Sequence, residues 1–414
     1  MKQLLLILGL LVFAQQARAQ ACNLDLRTQT QVDAVRQSGC TTVENLSISG
    51  GIPGVTTDGI YDLSPLSFIT AVQGTVSLSL NGITNIQALA NIRQIGGGLY
   101  IQSATGLSDI SLGDFSSLET VGEDLIITGN TSLTNIAGFA QLRSAKSVTI
   151  TLNSGLGNIT GLNALSATGA LYISQCARLR SISGLNNLAT VRIAPTIPPT
   201  PLPAPVVSIT DNPLLEEITG LASLATSGSM TIYKNPALKE LAGFNNLKSL
   251  TSLYIGDNPA MTTISGFNGS LVLSEAGIVN INTNARLTSI SGFRGLDVQN
   301  LSIHTNNGLT QIPGFADSKG LTMSISGNPA LDSVPGFRNA QFTRTVQLDN
   351  NARLQKISGF GGAKAPSFIT VNSNPGWFPL PKPLPMPTTP CFPPCAWRAT
   401  RPWLFAPCPG FAAT

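Results

Sequence analysis

An asparagine recurs along most of this chain at an interval that restricts the fold to one kind of architecture. The repeated unit reads L-x-I-x-x-N-x-x-L-x-x-I-x-G-F/L-x-x-L, and most copies of its asparagine are 22, 23 or 26 residues apart. A period of this length is typical of solenoid proteins, in which each repeat forms one turn of a coil. The recurring residues are Asn130, Asn153, Asn212, Asn235, Asn258, Asn284, Asn306, Asn328, Asn351 and Asn374.

Cys176 and Ala104 occupy the asparagine position in two further turns, and Asn81 fits an earlier one. The Leu and Ile of each L-x-I stretch point to the same side, which is the pattern of a half-buried strand. The asparagine that follows can turn its amide into the bend and satisfy backbone groups that no strand pairing reaches. The glycine of the Gly-Phe or Gly-Leu pair is expected to allow a sharp bend, while the large residue after it enters the core.

A single turn of this length cannot bury its own apolar side chains, so adjacent turns must stack. The sequence therefore predicts a mainly β fold, a right-handed solenoid whose strands form one parallel sheet about 4.8 Å apart, with the asparagines in a ladder. Separate antiparallel sandwiches do not explain a fixed period. The proline-rich stretch at 193–206 is expected to bulge from one turn without breaking the stack, because insertions in surface loops cost little.

Turns such as Leu253-Tyr-Ile-Gly-Asp-Asn-Pro-Ala-Met261, followed by Ile264-Ser-Gly-Phe267, resemble those of receptor L-domain proteins. The resemblance covers roughly residues 40–376, and the segment from residue 32 to residue 48 resembles the N-terminal cap of that family. The family includes ligand-binding lobes of insulin- and EGF-type receptors, fungal cell-wall proteins and secreted bacterial and algal proteins. The resemblance implies a leucine-rich-repeat-like solenoid at a cell surface, although this chain has many more turns than the receptor lobes.

The first 19 residues are predicted to be a secretory signal peptide. Lys2 provides the positive start, an apolar run follows, and Ala17-Arg18-Ala19 fits a cleavage site. The run is too short to span a bilayer, which needs about 20 residues, and no later stretch qualifies. We therefore expect a secreted, extracellular or cell-surface protein without a transmembrane span. A lipoprotein acylated at Cys22 is an alternative.

The rest of the chain divides into three predicted parts. Residues 20–42 are predicted to form an N-terminal cap with a short helix, residues 43–376 the solenoid, and residues 377–414 a disordered tail rich in Pro, Cys and Trp. A disulfide between Cys22 and Cys40 would staple the cap over the exposed end of the stack. Cys176 is expected to be a free, buried thiol, and the pairing of the three tail cysteines cannot be deduced.

Residues that alternate with the inward Leu and Ile are predicted to face outward, two and four positions before each ladder residue. Most of them carry hydroxyls or amides, and a few are tyrosines. Such a surface can hydrogen-bond to sugars and stack on them, or contact another protein, but it also fits an ordinary solvated sheet with β-favouring side chains. The candidate binding residues are Tyr172, Thr210, Tyr233, Tyr254, Asn282 and His304.

Charge and side-chain chemistry argue against several functional classes. Only 11% of the residues are charged, the net charge is +4, and no Lys/Arg cluster suits nucleic acid. Asp211 and Asp257 stand two turns apart, a separation that would suit an inverting glycosidase. Lys234 lies between them, however, and predicts a surface ion-pair ladder instead. His304, the only histidine, lacks partners for a metal site or a catalytic base.

We therefore expect no catalytic residues, no metal and no cofactor. The leading hypothesis is a secreted or cell-surface binding or adhesion protein that engages a glycan or a protein through its polar sheet face. A structural component of a cell wall or matrix is the alternative, and a polysaccharide-acting β-helix enzyme is a third candidate. The sequence does not predict the oligomeric state.

Overall fold

The structure is a computed structural model, and it describes residues 21–40, 42–50, 59–79, 83–103, 106–111, 113–192, 206–358, 366–376 and 396–398. The protein is mainly β, with 40% strand and 5% helix, and its parallel strands stack into a β-solenoid of about 14 turns. The fold class expected from the repeat is confirmed. The predicted signal peptide, the asparagine-position residues Asn81 and Ala104, and the prolines of the insertion lie outside the described residues.

One side of the coil is a long parallel sheet, to which successive turns contribute strands in matched register. The sheet begins in the N-terminal cap and ends with a short strand from the C-terminal tail. Its strands within the described residues are Ala21–Leu26, Thr42–Ser49, Ala71–Val72, Val76–Ser79, Gln94–Ile95, Leu99–Gln102, Thr120–Val121, Asp124–Thr128, Ser144–Thr151, Ala167–Ser174, Thr190–Val191, Val206–Thr210, Thr226–Ser227, Ser229–Tyr233, Ser249–Gly256, Val272–Asn282, Asp297–His304, Lys319–Ser326, Gln341–Asp349, Phe368–Thr370 and Ala396–Arg398.

The return path of most turns carries a two-residue strand, and these also pair in parallel from turn to turn. Gln311 forms single parallel bridges, one to Ser289 of the preceding turn and one to Ser333 of the following turn. These short strands are Asp109–Ile110, Asn135–Ile136, Asn158–Ile159, Ser181–Ile182, Glu217–Ile218, Glu240–Leu241, Thr263–Ile264, Ser289–Ile290, Ser333–Val334 and Lys356–Ile357. The apolar core lies between the two sides, and its Leu, Ile, Val and Phe side chains are almost completely buried.

The N-terminal cap contains more than the helix expected from the sequence. Its first strand, Ala21–Leu26, pairs in parallel with Thr42–Ser49. The helix Gln29–Ala34 begins with a capping box between Thr28 and Gln31 and continues into a 3-10 turn at Val35–Gln37. The disulfide Cys22–Cys40 is present, with its Cα atoms 5.9 Å apart. It joins the start of the first strand to the end of the cap. Two further 3-10 turns, Ser64–Leu66 and Gln87–Leu89, follow in the next turns of the coil.

The ladder asparagines are buried. Those from Asn130 to Asn351 bond to both neighbouring turns, and Asn374 bonds to the turn before it. The Oδ1 of Asn235 accepts from the backbone N and from the Nδ2 of Asn212, both at 3.2 Å. Its own Nδ2 donates to the Ile209 carbonyl at 2.9 Å, and its backbone N donates to Asn258 at 3.0 Å. The amide therefore satisfies backbone groups at the bend that strand pairing leaves without partners.

The stack continues across the proline-rich insertion. Ala170–Ser174 pairs directly with Val206–Thr210, so Val206, which the sequence assigned to the insertion, already belongs to the next strand. Cys176 and Asn212 preserve the ladder there, because the backbone N of Cys176 donates to the Oδ1 of Asn212 at 3.1 Å. The insertion leaves the turns on either side in contact.

The glycine before each large core residue has a different role from the expected one. The positive φ at this bend belongs to the following residue, for example 63° at both Phe139 and Phe267. A Cβ on Gly266 would lie only 2.0 Å from the Gly243 carbonyl oxygen of the preceding turn. The glycine is thus required by the close approach of two turns.

The phenylalanines after these glycines stack inside the core. Their ring centroids are 4.9 to 5.1 Å apart and their planes are within 10° of parallel from Phe244 through Phe267, Phe293 and Phe315 to Phe337. These phenylalanines lie on the return path of the coil, so each of the five turns places one ring against the next.

The ladder can be tested with Asn235→Leu, which keeps the branched arrangement of side-chain heavy atoms and removes the amide. The change leaves the Asn212 N–H and the Ile209 carbonyl buried without partners, so we expect the free energy of unfolding to fall by about 3 kcal/mol or more. Urea unfolding followed by circular dichroism measures this. Asn300→Leu, at an exposed position, is the control and should change the free energy of unfolding by less than about 0.5 kcal/mol. Equal losses in both variants would contradict a structural role for the buried amide.

Candidate functional site

The outward positions of the long sheet form three columns that strand pairing holds in register. The column two residues before the ladder is Thr128, Thr151, Ser174, Thr210, Tyr233, Gly256, Asn282, His304, Ser326 and Asp349. The column four residues before it is Ile126, Thr149, Tyr172, Ser208, Thr231, Tyr254, Asn280, Ser302, Ser324, Gln347 and Thr370.

A third column, which the sequence reasoning missed, lies six residues before the ladder. It contains Asp124, Ser147, Ala170, Val206, Ser229, Ser252, Ile278, Asn300, Thr322, Thr345 and Phe368. Inward and outward residues alternate over a longer stretch of each strand than the two-column prediction assumed, so a third outward residue precedes the other two. We call the surface formed by the three columns the outer face.

The outer face carries very little charge. The acidic side chains in the three columns are Asp124 and Asp349, and both have hydrogen-bond partners. Asp124 accepts from the Ser147 hydroxyl at 2.7 Å, and Asp349 accepts from the Gln347 amide at 2.6 Å. Most of the other polar positions are hydroxyls and amides, so the face offers many hydrogen bonds and little charge.

An ion-pair ladder does exist, but it lies beside the short strands and not where the sequence placed it. Arg180 contacts Glu216 at 2.9 Å, and Lys239 of the next turn contacts the same carboxylate. The hydrogen bond and charge of Lys239, followed by those of Arg180, lower the pKa of the Glu216 carboxyl. Charged side chains thus pair beside the short strands at Glu216, and a further ion pair joins Lys319 and Asp297 at the start of two long-sheet strands.

The prediction of an ion-pair ladder through Asp211, Lys234 and Asp257 is wrong. These residues have φ values of 53° to 56° at the turn before the ladder asparagine. Within the described part of the chain, Lys234 takes part in none of the ion pairs. Its Nζ instead lies 5.2 Å from the centre of the Tyr233 ring, the geometry of a cation–π contact.

Two of the candidate tyrosines meet on the outer face. The rings of Tyr233 and Tyr254 are 5.5 Å apart and cross edge to face at 61°. They belong to neighbouring columns and to successive turns, so their contact depends on the register of the sheet. Thr210 is the neighbour of Tyr233 in its column. Tyr172 shares the column of Tyr254 but is three turns away.

Asn282, another candidate binding residue, is close to Tyr254 and is largely buried. Its side chain is only 6% exposed. Its Oδ1 accepts from the Tyr254 hydroxyl at 3.3 Å and from the Thr283 hydroxyl at 3.0 Å, while its Nδ2 donates to Asn280 at 2.9 Å. Asn282 therefore positions Tyr254. His304, the next residue in that column, is half-buried and lies with its Nδ1 3.2 Å from the Thr305 hydroxyl.

Cys176 is a free thiol inside the coil. Its sulfur takes the place of a ladder oxygen and accepts hydrogen bonds from Asn153. Burial raises the pKa of this thiol to about 11, and the bonds from Asn153 offset only part of the rise. The thiolate, which is the reactive form, is therefore scarce at neutral pH. Among the described residues, no group of three or more His, Cys, Asp or Glu side chains could hold a metal ion.

No protein-family model and no curated protein sequence matches this chain. The likeness of its turns to receptor L-domain proteins stays an expectation from their sequence motif. In the described ranges, no helix has the length and apolar character needed to cross a membrane. The feature with the most candidate chemistry is the outer face around Tyr233 and Tyr254.

The burial of Cys176 predicts slow alkylation. When the folded protein is treated with iodoacetamide at pH 8, the Cys176 peptide should stay unmodified. Burial keeps the reagent away from the sulfur, and the raised pKa keeps the thiolate scarce. The same peptide should be labelled fully after unfolding in guanidinium, which serves as the control. Peptide mass spectrometry follows this residue separately from the tail cysteines. Complete labelling of the folded protein would contradict the buried position.

Proposed function

We propose that this protein is a secreted or cell-surface binding protein that engages a glycan or another protein through the outer face. The observation that carries the proposal is the contact between Tyr233 and Tyr254 within a long, nearly uncharged field of hydroxyls and amides. Aromatic side chains with a polar end are enriched at binding surfaces, because they offer apolar area and a hydrogen bond together.

Secretion is supported by two features at the start of the chain. The disulfide Cys22–Cys40 suits an oxidising compartment. The sequence before it has the charge, apolar run and small residues of a signal peptide. A low content of charged residues also fits a neutral extracellular surface.

Binding is favoured over catalysis by the state of the acidic groups on the outer face. General acid–base chemistry needs carboxyl groups directed at a substrate. Asp349 is largely buried, and its two oxygens accept from the Gln347 amide and from the Asn372 backbone. Asp124 is bonded to the Ser147 hydroxyl. These carboxylates support the sheet.

The proposal is tested by measuring how Tyr172→Ala, Tyr233→Ala and Tyr254→Ala bind to a glycan array and to isolated cell surfaces. Binding should fall at least about tenfold for the Tyr233 and Tyr254 variants, since a few aromatic anchors carry most of the free energy at a binding surface. A smaller loss is expected for Tyr172, which stands apart from them.

Tyr61→Ala is the matched control. Its side chain is 77% exposed, and it lies outside the long sheet. Binding that is unchanged in all three outer-face variants, or that falls equally with Tyr61→Ala, would remove the site from the outer face.

A further inference from the structure

Gly256 leaves a gap in the outer face that a tyrosine fills. Its neighbours in the same column are Tyr233 and Asn282, and it is the one residue of that column without a side chain. A Cβ at this position would lie 2.9 Å from the Tyr254 hydroxyl oxygen and 3.0 Å from the Asn282 Oδ1. The end of the Tyr254 side chain therefore occupies the space that a larger residue would need.

The backbone does not explain this glycine. Among the described glycines, those with positive φ are Gly39, Gly129, Gly295 and Gly327. Gly256 lies inside the strand Ser249–Gly256 with φ outside the left-handed region, where β-branched residues are favoured. The absence of a side chain at Gly256 leaves space on the outer face, and the end of the Tyr254 side chain occupies that space.

Tyr254 is held in place before any ligand arrives. Its hydroxyl bonds to Asn282, whose amide is in turn fixed by Asn280 and Thr283. Its ring meets the edge of Tyr233, and the Lys234 ammonium lies against the Tyr233 ring. We call the group Tyr233, Tyr254 and Gly256 the aromatic platform. A surface that is already ordered loses less conformational entropy when it binds.

Charge around the aromatic platform favours an uncharged ligand. Lys234 is the cation nearest to it, and that cation is already in contact with an aromatic ring. Asp211 and Asp257 stand on either side of Lys234 in the neighbouring turns, so an anionic ligand would meet two carboxylates for each ammonium. The neighbouring outward positions carry hydroxyls, at Thr210 in the column of Tyr233, at Thr231 in the column of Tyr254 and at Ser252 in the third column.

We infer that the aromatic platform binds an uncharged polysaccharide, with a sugar ring against the tyrosines and its hydroxyls bonded to Ser and Thr of adjacent turns. A sugar ring has apolar C–H faces and a rim of hydroxyls, which is the complement of this surface. The face repeats about every 4.8 Å along the coil, so a polymer can make similar contacts in successive turns. The inference rests on the proposed function and gives it a ligand class.

The test compares two glycine variants. Gly256→Thr introduces the side chain that Thr128, Thr151 and Thr210 carry in the same column and displaces Tyr254, while both tyrosines remain in the chain. Gly243→Ala is the control, because a Cβ there meets no atom within 4 Å. Gly256→Ala adds the Cβ alone and is the second variant should Gly256→Thr fold poorly. Thermal unfolding monitored by circular dichroism establishes that each variant is folded.

Isothermal titration measures the binding of a soluble neutral glucan, a neutral galactomannan and the anionic polygalacturonate. The wild type and Gly243→Ala should bind at least one neutral polymer with equal affinity, and added salt should have little effect. Gly256→Thr should bind it at least about tenfold more weakly, the loss expected when an anchoring ring is no longer presented. Gly256→Ala should lie between the two.

Neutral binding that survives Gly256→Thr and Gly256→Ala, or preferential binding of polygalacturonate that salt abolishes, would overturn the inference. If Tyr233→Ala and Tyr254→Ala reduce attachment to cell surfaces but no neutral polymer binds, the inference fails and the proposed function stands. If no attachment depends on the outer face, both fail.

Discussion

Hydrogen bonds to a buried side-chain amide hold successive turns of this coil together at the bend after each strand. At that bend the backbone leaves the sheet, and its N–H and carbonyl groups would be buried without partners at a cost of about 1–3 kcal/mol each. The asparagine Oδ1 accepts two hydrogen bonds from the preceding turn, and its Nδ2 donates to a strand carbonyl of that turn. Because these bonds fix one turn against the next, they also fix which outward side chains become neighbours. The contact between Tyr233 and Tyr254 is a consequence of that register.

A second constraint acts on the opposite side of the core. The backbone carbonyls of adjacent turns approach so closely at Gly266, Gly292, Gly314 and Gly336 that a Cβ has no space, whereas the equivalent Gly243 has room for one. The same approach brings the following phenylalanines into a parallel stack. The amide ladder and the ring stack lie on two sides of one core, and together they keep the turns parallel. The flatness and regularity of the outer face depend on both.

The period and the alternation of the repeat were enough to predict the parallel solenoid, the buried amides and two of the three outward columns. They could not show that Asn282 is covered by Tyr254, that Lys234 turns to an aromatic ring, or that the ion pairs form at Glu216. Two of those outcomes depend on contacts between side chains of different turns: Tyr254 and Asn282 are 28 residues apart, and Lys239 and Glu216 are 23 apart. The role of Gly256 had a visible signal, since it alone in its column lacks a side chain, but its meaning required the position of Tyr254. The strand in the cap at Ala21–Leu26 was missed because its outward residues are mostly charged or polar and its pattern is short.

The spacing between ladder asparagines is not constant, and the structure shows which part of a longer turn contains the extra residues. Asn258 and Asn284 are 26 residues apart, and the pairing of their strands shifts between Leu250 and Ser252 and again after Val272. Beyond that shift the ladder continues from Asn284 to Asn306 with a spacing of 22. The bonds of each ladder asparagine restore the alignment of the next turn. A difference in the number of residues in one turn therefore does not shift the register of the turns that follow. Extra residues at a register shift of this kind therefore alter the chemistry of one turn of the face while the other turns keep their places.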